Sequence, residues 1–201
     1  MKHLLFITIV VFSNTVLAAD RYVGDNSHTE VIFKVNHLGF STTYGRFTNV
    51  ESELVYDPHD LSKSGVSATI YTGSVDVGHG PKTDHMKRGD FFNVSKFPEM
   101  TFKSTSVQVI DDKQLNVTGN LTLLGVTKPV SLYVVINKIG KHPIYQSDAI
   151  GFSATGKLNR TEWGMDAYAP MVGEEVAFNI EFEGTKDGSD YESKFGRGVR
   201  K

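Results

Sequence analysis

A chain of 201 residues, 39% of them hydrophobic, is long enough for one domain with a substantial core. Its 21 basic and 23 acidic residues give a formal net charge of −2, which excludes the strongly basic surface expected of a protein that binds nucleic acid or an anionic membrane. The chain has no cysteine, so neither disulfides nor thiolate metal sites contribute to its stability.

Residues 1–18 have the pattern of a signal peptide rather than of a folded element. A short polar start with Lys2 is followed by a nearly continuous apolar run over residues 4–12 and by small residues up to Ala18. The apolar run is about half of the roughly 20 residues that a membrane-spanning helix needs, so a signal anchor is the less favoured alternative. We therefore predict export, cleavage after Ala18 or Ala19, and no stable insertion into a membrane.

Eight later segments show the alternation of apolar and polar residues that is typical of half-buried β-strands. They cover residues 31–36, 50–56, 66–75, 101–110, 115–124, 130–139, 150–158 and 176–182. Most of the connections between them are too short for a parallel crossover, which predicts antiparallel order. An all-β fold follows, either a closed barrel or a sandwich, and closure into a barrel would also remove exposed strand edges.

One segment interrupts the strand pattern. We predict a short helical segment near residues 82–96, with Thr83 as its N-cap and Gly89 placed to end the first helix. The adjacent rings of Phe91 and Phe92 follow that glycine. In an otherwise all-β chain, such a segment is expected either to plug one end of a barrel or to form the rim of a pocket.

Composition leaves open whether the barrel is filled or hollow. A barrel of eight strands can be filled by its own side chains or can hold one small ligand. Small residues such as Gly119, Gly151 and Ala154 lie within strands and would leave interior space. The same glycines can instead allow the sheet to bend, and the many aromatic residues can serve core packing.

The polar residues form no recognisable catalytic or metal-binding motif. His79 and His85 lie near Asp76 and Asp84, but no H-x-x-x-H or H-E-x-x-H spacing accompanies them. Surface or hydrogen-bonded histidines are therefore the favoured interpretation. No serine lies in a G-x-S-x-G motif. We predict no catalytic residue, no metal and no cofactor.

Five stretches resemble, in the same order, the YceI-like family of polyisoprenoid-binding proteins. They are VIFKVNHLGFSTTYGRF (31–47), GSVDVG (73–78), DHMKRGDFFNVSKFPEMTFKST (84–105), VTGNLTLLGVTKPV (117–130) and IGFSATGKLNRTEWG (150–164). The combination of GDFFxVxKFP with GNLTLLGVTKPV carries most of the specificity. The resemblance covers nearly all of the chain between residues 20 and 182.

The resemblance implies an eight-stranded antiparallel lipocalin-like β-barrel over residues 20–184, exported to the bacterial periplasm. Such a barrel would hold a polyisoprenoid chain, either an isoprenoid quinone or a polyprenyl lipid, or a similar long lipid, for transport, storage or sequestration, and would not be an enzyme. Residues 185–201 form a polar tail with a basic end. The alternative is a stress-related interaction protein with a filled barrel whose loops or tail bind a partner. A hydrolase of isoprenoid phosphates is a weaker third option, and the sequence is compatible with a homodimer.

The resemblance also places candidate lipid contacts inside the barrel and at the mouth formed by the helical segment. These apolar candidates are Phe33, Val35, Leu38, Phe40, Phe47, Met86, Phe91, Phe92, Phe102, Leu121, Gly151, Phe152 and Trp163. The candidates for contact with a lipid head group at the rim are His37, Arg46, Asp90 and Arg160. For each of these four polar residues, a structural ion pair or turn hydrogen bond is an equally favoured role.

Overall fold

A computed structural model describes residues 19–186, which contain one α-helix and eleven β-strands. The strands are β1 (Asp20–Gly24), β2 (Glu30–His37), β3 (Ser41–Phe47), β4 (Val50–Tyr56), β5 (Gly65–Tyr71), β6 (Val75–Asp76), β7 (Glu99–Val109), β8 (Gln114–Leu123), β9 (Val126–Lys141), β10 (Asp148–Asn159) and β11 (Val172–Lys186). The helix is α1 (Gly80–Met86), and short 3₁₀ turns cover Leu61–Lys63, Thr72–Ser74 and Arg160–Trp163. The predicted signal peptide and most of the predicted tail lie outside the described residues.

The eleven strands form a closed barrel of eight because three pairs of consecutive strands each act as one bent strand. The pairs are β1 with β2, β3 with β4, and β5 with β6. The first and second bent strands lie side by side, since β1 pairs with β4 and β2 pairs with β3. The second and third do so as well, since β4 pairs with β5 and β3 pairs with β6. β11 closes the barrel: one of its edges pairs with β10, and the other pairs first with β2 and then with β1. Every pairing is antiparallel, so the predicted eight-stranded antiparallel barrel is confirmed and the sandwich alternative is wrong.

The bend between β1 and β2 is held by side chains that replace the missing strand hydrogen bonds. The buried carboxylate of Asp25 accepts a hydrogen bond from the backbone N–H of Ser27 at 2.8 Å and pairs with the imidazole of His28. The amide oxygen of Asn26 accepts a hydrogen bond from the backbone N–H of Val50 at 2.8 Å. The chain can therefore change direction within one barrel strand without leaving the sheet.

The helix differs from its prediction at both ends. α1 starts at Gly80, three residues before the predicted cap, because Pro81 suits the first turn of a helix and pre-sets its backbone angle. Thr83 lies within the helix, and its hydroxyl accepts a hydrogen bond from the backbone N–H of Val77 at 3.1 Å. The helix ends at Met86 rather than near Gly89, and turns occupy the remainder of the predicted helical segment.

Two groups of buried side chains form the core. The larger one includes the middle of the barrel and the underside of the helical segment. The smaller one, named here the base cluster, consists of Tyr22, Leu54, Ile150 and Phe182. These four side chains lie at the barrel end where β1 pairs with the C-terminal part of β11, opposite the end that carries α1. The base cluster therefore closes one end of the barrel.

Three interior glycines serve aromatic packing rather than open space. A Cβ added at any of them would come within 3.0 Å of the ring of a phenylalanine on a neighbouring strand. The pairs are Gly45 with Phe33, Gly119 with Phe102, and Gly156 with Phe178. Each ring occupies the space left by the absent side chain, an arrangement known to stabilise glycines in sheets. The expectation that Gly119 leaves interior space is wrong for this reason.

Candidate functional site

A cavity of about 540 Å³ runs through the barrel. Its lining comes from all eight barrel strands and is overwhelmingly apolar; representative lining residues are Val35, Ile70, Val117, Leu132, Phe152 and Ile180. The volume falls within the range of roughly 300–1,000 Å³ that is typical of sites for one small organic ligand. The barrel is therefore hollow, and hydrocarbon is the chemistry that its wall accommodates best.

The cavity reaches the surface at one end, named here the mouth. The mouth lies between α1, the turn that joins β2 to β3, and residues 165–171 before β11. Leu38 and Met171 both line the cavity and are about half exposed, and the backbone N–H of Leu38 donates to the carbonyl oxygen of Met171 at 3.0 Å. Lys82 and His85 of α1 line the same opening. The helical segment is thus the rim of a pocket, one of the two roles predicted for it.

The adjacent rings of Phe91 and Phe92 fasten this segment to the barrel. The Phe92 ring centroid lies 5.2 Å from that of Phe47 in an edge-to-face arrangement, and the Phe92 ring also contacts Phe33. The Phe91 ring stacks against Tyr168 at 6.2 Å on the opposite side of the mouth. Both phenylalanines are buried and line the cavity. One ring therefore joins the segment to the barrel wall, and the other joins it to the facing loop.

Arg160 holds the loop on the far side of the mouth. Its side chain is 3% exposed, and four of its five N–H groups donate to backbone carbonyl oxygens. The acceptors are Met165, Ala167, Val172 and Gly173. Burial lowers the pKa of Arg160 from its usual value. Because these four donors are directed at the backbone, Arg160 has the structural role, one of the two predicted for it; its side chain also lines the cavity, and contact with a head group stays a prediction.

The other three polar candidates occupy different surroundings. Arg46 does not line the cavity; its guanidinium lies 3.7 Å from the Asp76 carboxylate, on the outside of the barrel. Asp90 is also outside the lining and pairs with His85 at 2.7 Å. Burial acts to raise the pKa of Asp90, but the hydrogen bond from His85, a backbone hydrogen bond and the nearby charges of His85 and Arg88 together outweigh it, so the pKa lies below its usual range. His37 alone of these three lines the cavity, at the mouth.

Ten of the thirteen apolar candidates line the cavity, and three do not. Phe40 is 91% exposed because it lies in the turn beyond the end of the barrel. Gly151 lines a shallow groove on the outer surface, since its neighbours Ile150 and Phe152 take the inward positions. Trp163 is buried behind the wall, where its indole N–H donates to the carbonyl oxygen of Leu121 at 3.3 Å. These three placements correct the sequence-based prediction.

Several lining residues were not indicated by the sequence. Ser52 lies on the same face of β4 as Val50 and Leu54, so the alternation of residues predicts its inward position. A serine is not an expected contact for a hydrocarbon chain, so its residue type did not indicate a lining role. Thr29 lies in the bend before β2, where no alternation exists to assign a face. Tyr168 belongs to a loop whose path depends on Arg160.

Within residues 19–186, no three histidine or carboxylate side chains come together as potential ligands of one metal ion. None of the helices described there is both long enough and apolar enough to span a membrane.

Comparison with known proteins gives consistent similarities. A family model described as the YceI-like domain matches residues 22–184. The chain is 35% identical over 182 residues to "Protein YceI" of Salmonella agona, an alignment that covers 90% of this chain and 94% of the relative. Both matches span the whole barrel, so the similarity in sequence includes the strands that line the cavity.

Solved structures with the same fold were also found. The YCEI protein of Campylobacter jejuni superimposes with a TM-score of 0.69 at 28% identity, covering 75% of this chain and 89% of that one. A domain from Saccharophagus degradans, described as polyisoprenoid binding and implicated in plant cell wall breakdown, superimposes with a TM-score of 0.63 at 12% identity, covering 85% of this chain and 99% of that one. At that identity, the second similarity concerns the fold alone.

Proposed function

This chain belongs to the YceI-like family, and we propose that it is an exported, non-enzymatic carrier that holds one polyisoprenoid chain or a similar long lipid inside its barrel. The observation that supports this proposal is the apolar cavity, which continues from the base cluster to an open mouth. A filled barrel, which the alternative of a loop-binding interaction protein assumes, does not agree with that cavity. The periplasm is the proposed location, from the signal-peptide pattern of residues 1–18.

Hydrocarbon burial is sufficient to hold such a ligand. Transfer of one five-carbon isoprene unit from water to an apolar wall is worth roughly 3–4 kcal/mol, at about 0.8 kcal/mol per carbon group. A few units therefore approach the practical limit of noncovalent affinity before the costs of ordering the chain are subtracted. The protein needs no strong charged anchor to retain a lipid of this kind.

The Saccharophagus degradans domain, which is described as polyisoprenoid binding, shares the barrel fold with this chain, and we propose the same ligand class here. The relation is one of fold, so the ligand class remains the proposed part of the function. Transport, storage and sequestration all require the same cavity and differ only in what the lipid does next.

Extraction and mass spectrometry test the proposal. The mature protein is purified without detergent and its native mass is compared with its denatured mass; a solvent extract is then analysed for lipids. We expect one bound lipid per chain, with fragments spaced by isoprene units, and renewed uptake of an added isoprenoid quinone after extraction. A native mass equal to that of the bare chain, together with no uptake of added lipid, would contradict the proposal.

A further inference from the structure

Four large apolar side chains surround the mouth and are exposed to solvent. They are Leu38, Phe40, Tyr168 and Met171, named here the apolar rim, and each is between 46% and 91% exposed. Leu38, Tyr168 and Met171 also line the cavity, so the rim and the cavity wall form one continuous apolar surface. Phe40 lies farther out, in the turn that joins β2 to β3. An exposed apolar cluster of this kind indicates an interaction site, whereas scattered apolar residues do not.

Backbone and ring contacts hold the apolar rim in place. The backbone N–H of Leu38 donates to the carbonyl oxygen of Met171 at 3.0 Å, which fixes the turn with Phe40 beside the loop that precedes β11. The Tyr168 ring of that loop stacks on the buried Phe91 ring, which belongs to the helical segment. The three segments around the mouth are therefore joined to one another, and the apolar rim is a preformed surface.

The turn of the apolar rim departs from the residue type that its backbone favours. Leu38 (φ +58°) and Gly39 (φ +74°) both have left-handed backbone angles, and the N–H of Phe40 donates to the carbonyl oxygen of His37 at 3.1 Å. A two-residue hairpin turn of this geometry favours asparagine, aspartate or glycine first, because a bulky apolar residue is strained there. The protein thus carries a strained, half-exposed leucine where a polar residue is favoured, and such departures are expected at functional sites.

The charges at the two ends of the barrel differ. The connections at the mouth carry five basic and four acidic residues, and those at the base end carry two basic and four acidic residues. The former are residues 38–40, 77–98, 124–125 and 160–171, and the latter are residues 57–64, 110–113 and 142–147. Of the five basic residues, Arg160 is buried, whereas Lys82, Lys87 and Arg88 lie in or directly after α1. An anionic phospholipid surface therefore repels the base end and can pair with the α1 side of the mouth.

We propose that the apolar rim docks reversibly on the surface of a phospholipid bilayer, with Phe40 and Met171 inserted between the lipid head groups. Lys82, Lys87 and Arg88 then lie beside the lipid phosphates. This inference rests on the proposed function, because a long lipid enters the cavity from a bilayer without crossing water only if the mouth faces that bilayer. The contact is peripheral and mainly apolar, so it agrees with the formal net charge of −2.

Flotation with lipid vesicles tests the docking. The mature protein is mixed with vesicles of phosphatidylethanolamine and phosphatidylglycerol, and the vesicle-bound fraction is measured as a function of lipid concentration. Wild type is compared with Phe40→Ser, with Met171→Ser, with the double variant and with Ile144→Ser. Ile144 is the matched control, because it is an apolar residue, 75% exposed, in the connection between β9 and β10 at the base end.

We expect Phe40→Ser to weaken vesicle binding roughly tenfold, the effect of removing one large apolar side chain from a contact. The double variant should lose more, and Ile144→Ser should stay within about twofold of wild type. Wild-type binding by the double variant, or an equal loss in Ile144→Ser, would overturn the inference.

The two proposals fail in different ways. A wild-type protein that takes up added isoprenoid quinone but binds no vesicles would overturn the docking and leave the carrier function intact. A protein that binds vesicles through the apolar rim but takes up no quinone would refute the carrier function instead. Self-association of wild type that Phe40→Ser abolishes, without vesicle binding, would assign the apolar rim to an interface between two copies and would also overturn the docking.

A second measurement reports orientation on the vesicle. The chain has no cysteine of its own, so Phe40→Cys and Ile144→Cys each supply a single thiol for a polarity-sensitive fluorophore. On vesicles, the emission of the label at position 40 should shift to shorter wavelength and be quenched by phospholipids with a nitroxide on the acyl chain. The label at position 144 should show neither change. Equal responses at both positions, or no response at position 40 in protein that floats with the vesicles, would contradict the docking.

Discussion

Partial filling of the cavity should weaken lipid binding without loss of the fold. Ala68 on β5 is the position for this change, because it lines the cavity, has only a methyl side chain and lies between Ser52 on β4 and Phe102 on β7. A phenylalanine at this position can pack its ring against Phe102 and project into the open space. Ser67, the preceding residue, is exposed on the outer face of the same strand.

The size of the effect follows from the volumes. Ala68→Phe adds six ring carbons. Each carbon occupies somewhat less than the roughly 30 Å³ of one water molecule, so the six together take up roughly 100–150 Å³. That is about a quarter of the 540 Å³ cavity and close to the space of one isoprene unit. Exclusion of one unit removes roughly 3 kcal/mol of hydrocarbon burial, so the dissociation constant should rise about a hundredfold.

Titration with prenyl quinones of increasing chain length measures this effect. The single Trp163, buried behind the cavity wall, provides a fluorescence signal that a bound quinone ring should quench. For Ala68→Phe, affinity should stop increasing about one isoprene unit earlier than for wild type, whereas the Ser67→Phe control should follow wild type. If Ala68→Phe keeps a native circular dichroism spectrum and binds every quinone as wild type does, the lipid does not occupy this cavity.

Three further predictions follow from the same contacts. Arg160→Met leaves four backbone carbonyl oxygens without their donor, so the free energy of unfolding in urea should fall by about 3 kcal/mol, whereas the exposed Arg46→Met should change it by less than about 1 kcal/mol. The hydrogen bond to Asp25 raises the pKa of His28, so this pair stabilises the fold fully below the unfolded pKa of about 6.5 and loses that effect as the pH rises through the folded pKa. His28→Gln should therefore destabilise the protein more at pH 5.5 than at pH 9, and the imidazole of wild type should titrate above 6.5 by NMR; an equal loss at both pH values would contradict this assignment. Gly151→Leu should leave lipid uptake unchanged because Gly151 faces the outer groove, and reduced uptake in a folded variant would show that the position faces inward.

Alternation of residue type predicted the parts of the fold in which one face of a strand is buried. The alternate positions Phe33 and Val35, and likewise Phe178 and Ile180, line the cavity because a strand directs every second side chain to the same face. The same rule holds for Gly151, whose outward position follows from those of its neighbours. The rule identifies faces, and it does not by itself say which face is inside.

Features that depend on contacts between distant residues could not be predicted in this way. The packing of Phe33 against Gly45 or of Phe178 against Gly156 requires the register of neighbouring strands, which no local pattern gives. The role of Arg160 requires the path of the loop that supplies its acceptors. The start of α1 was missed because Thr83 offered a good cap signal, while the tertiary contact with Val77 uses its hydroxyl instead.

The position of β11 has a consequence for how the protein is made. This strand is the last among the described residues, yet it closes the barrel by pairing with β1 and β2, the first two strands described, and Tyr22 lies opposite Lys186. Contacts between residues so far apart in sequence form late, because a long loop must first be closed. A chain in which β11 has not yet paired cannot close its barrel. Arrival of β11 therefore sets the moment at which the cavity first becomes able to receive a lipid.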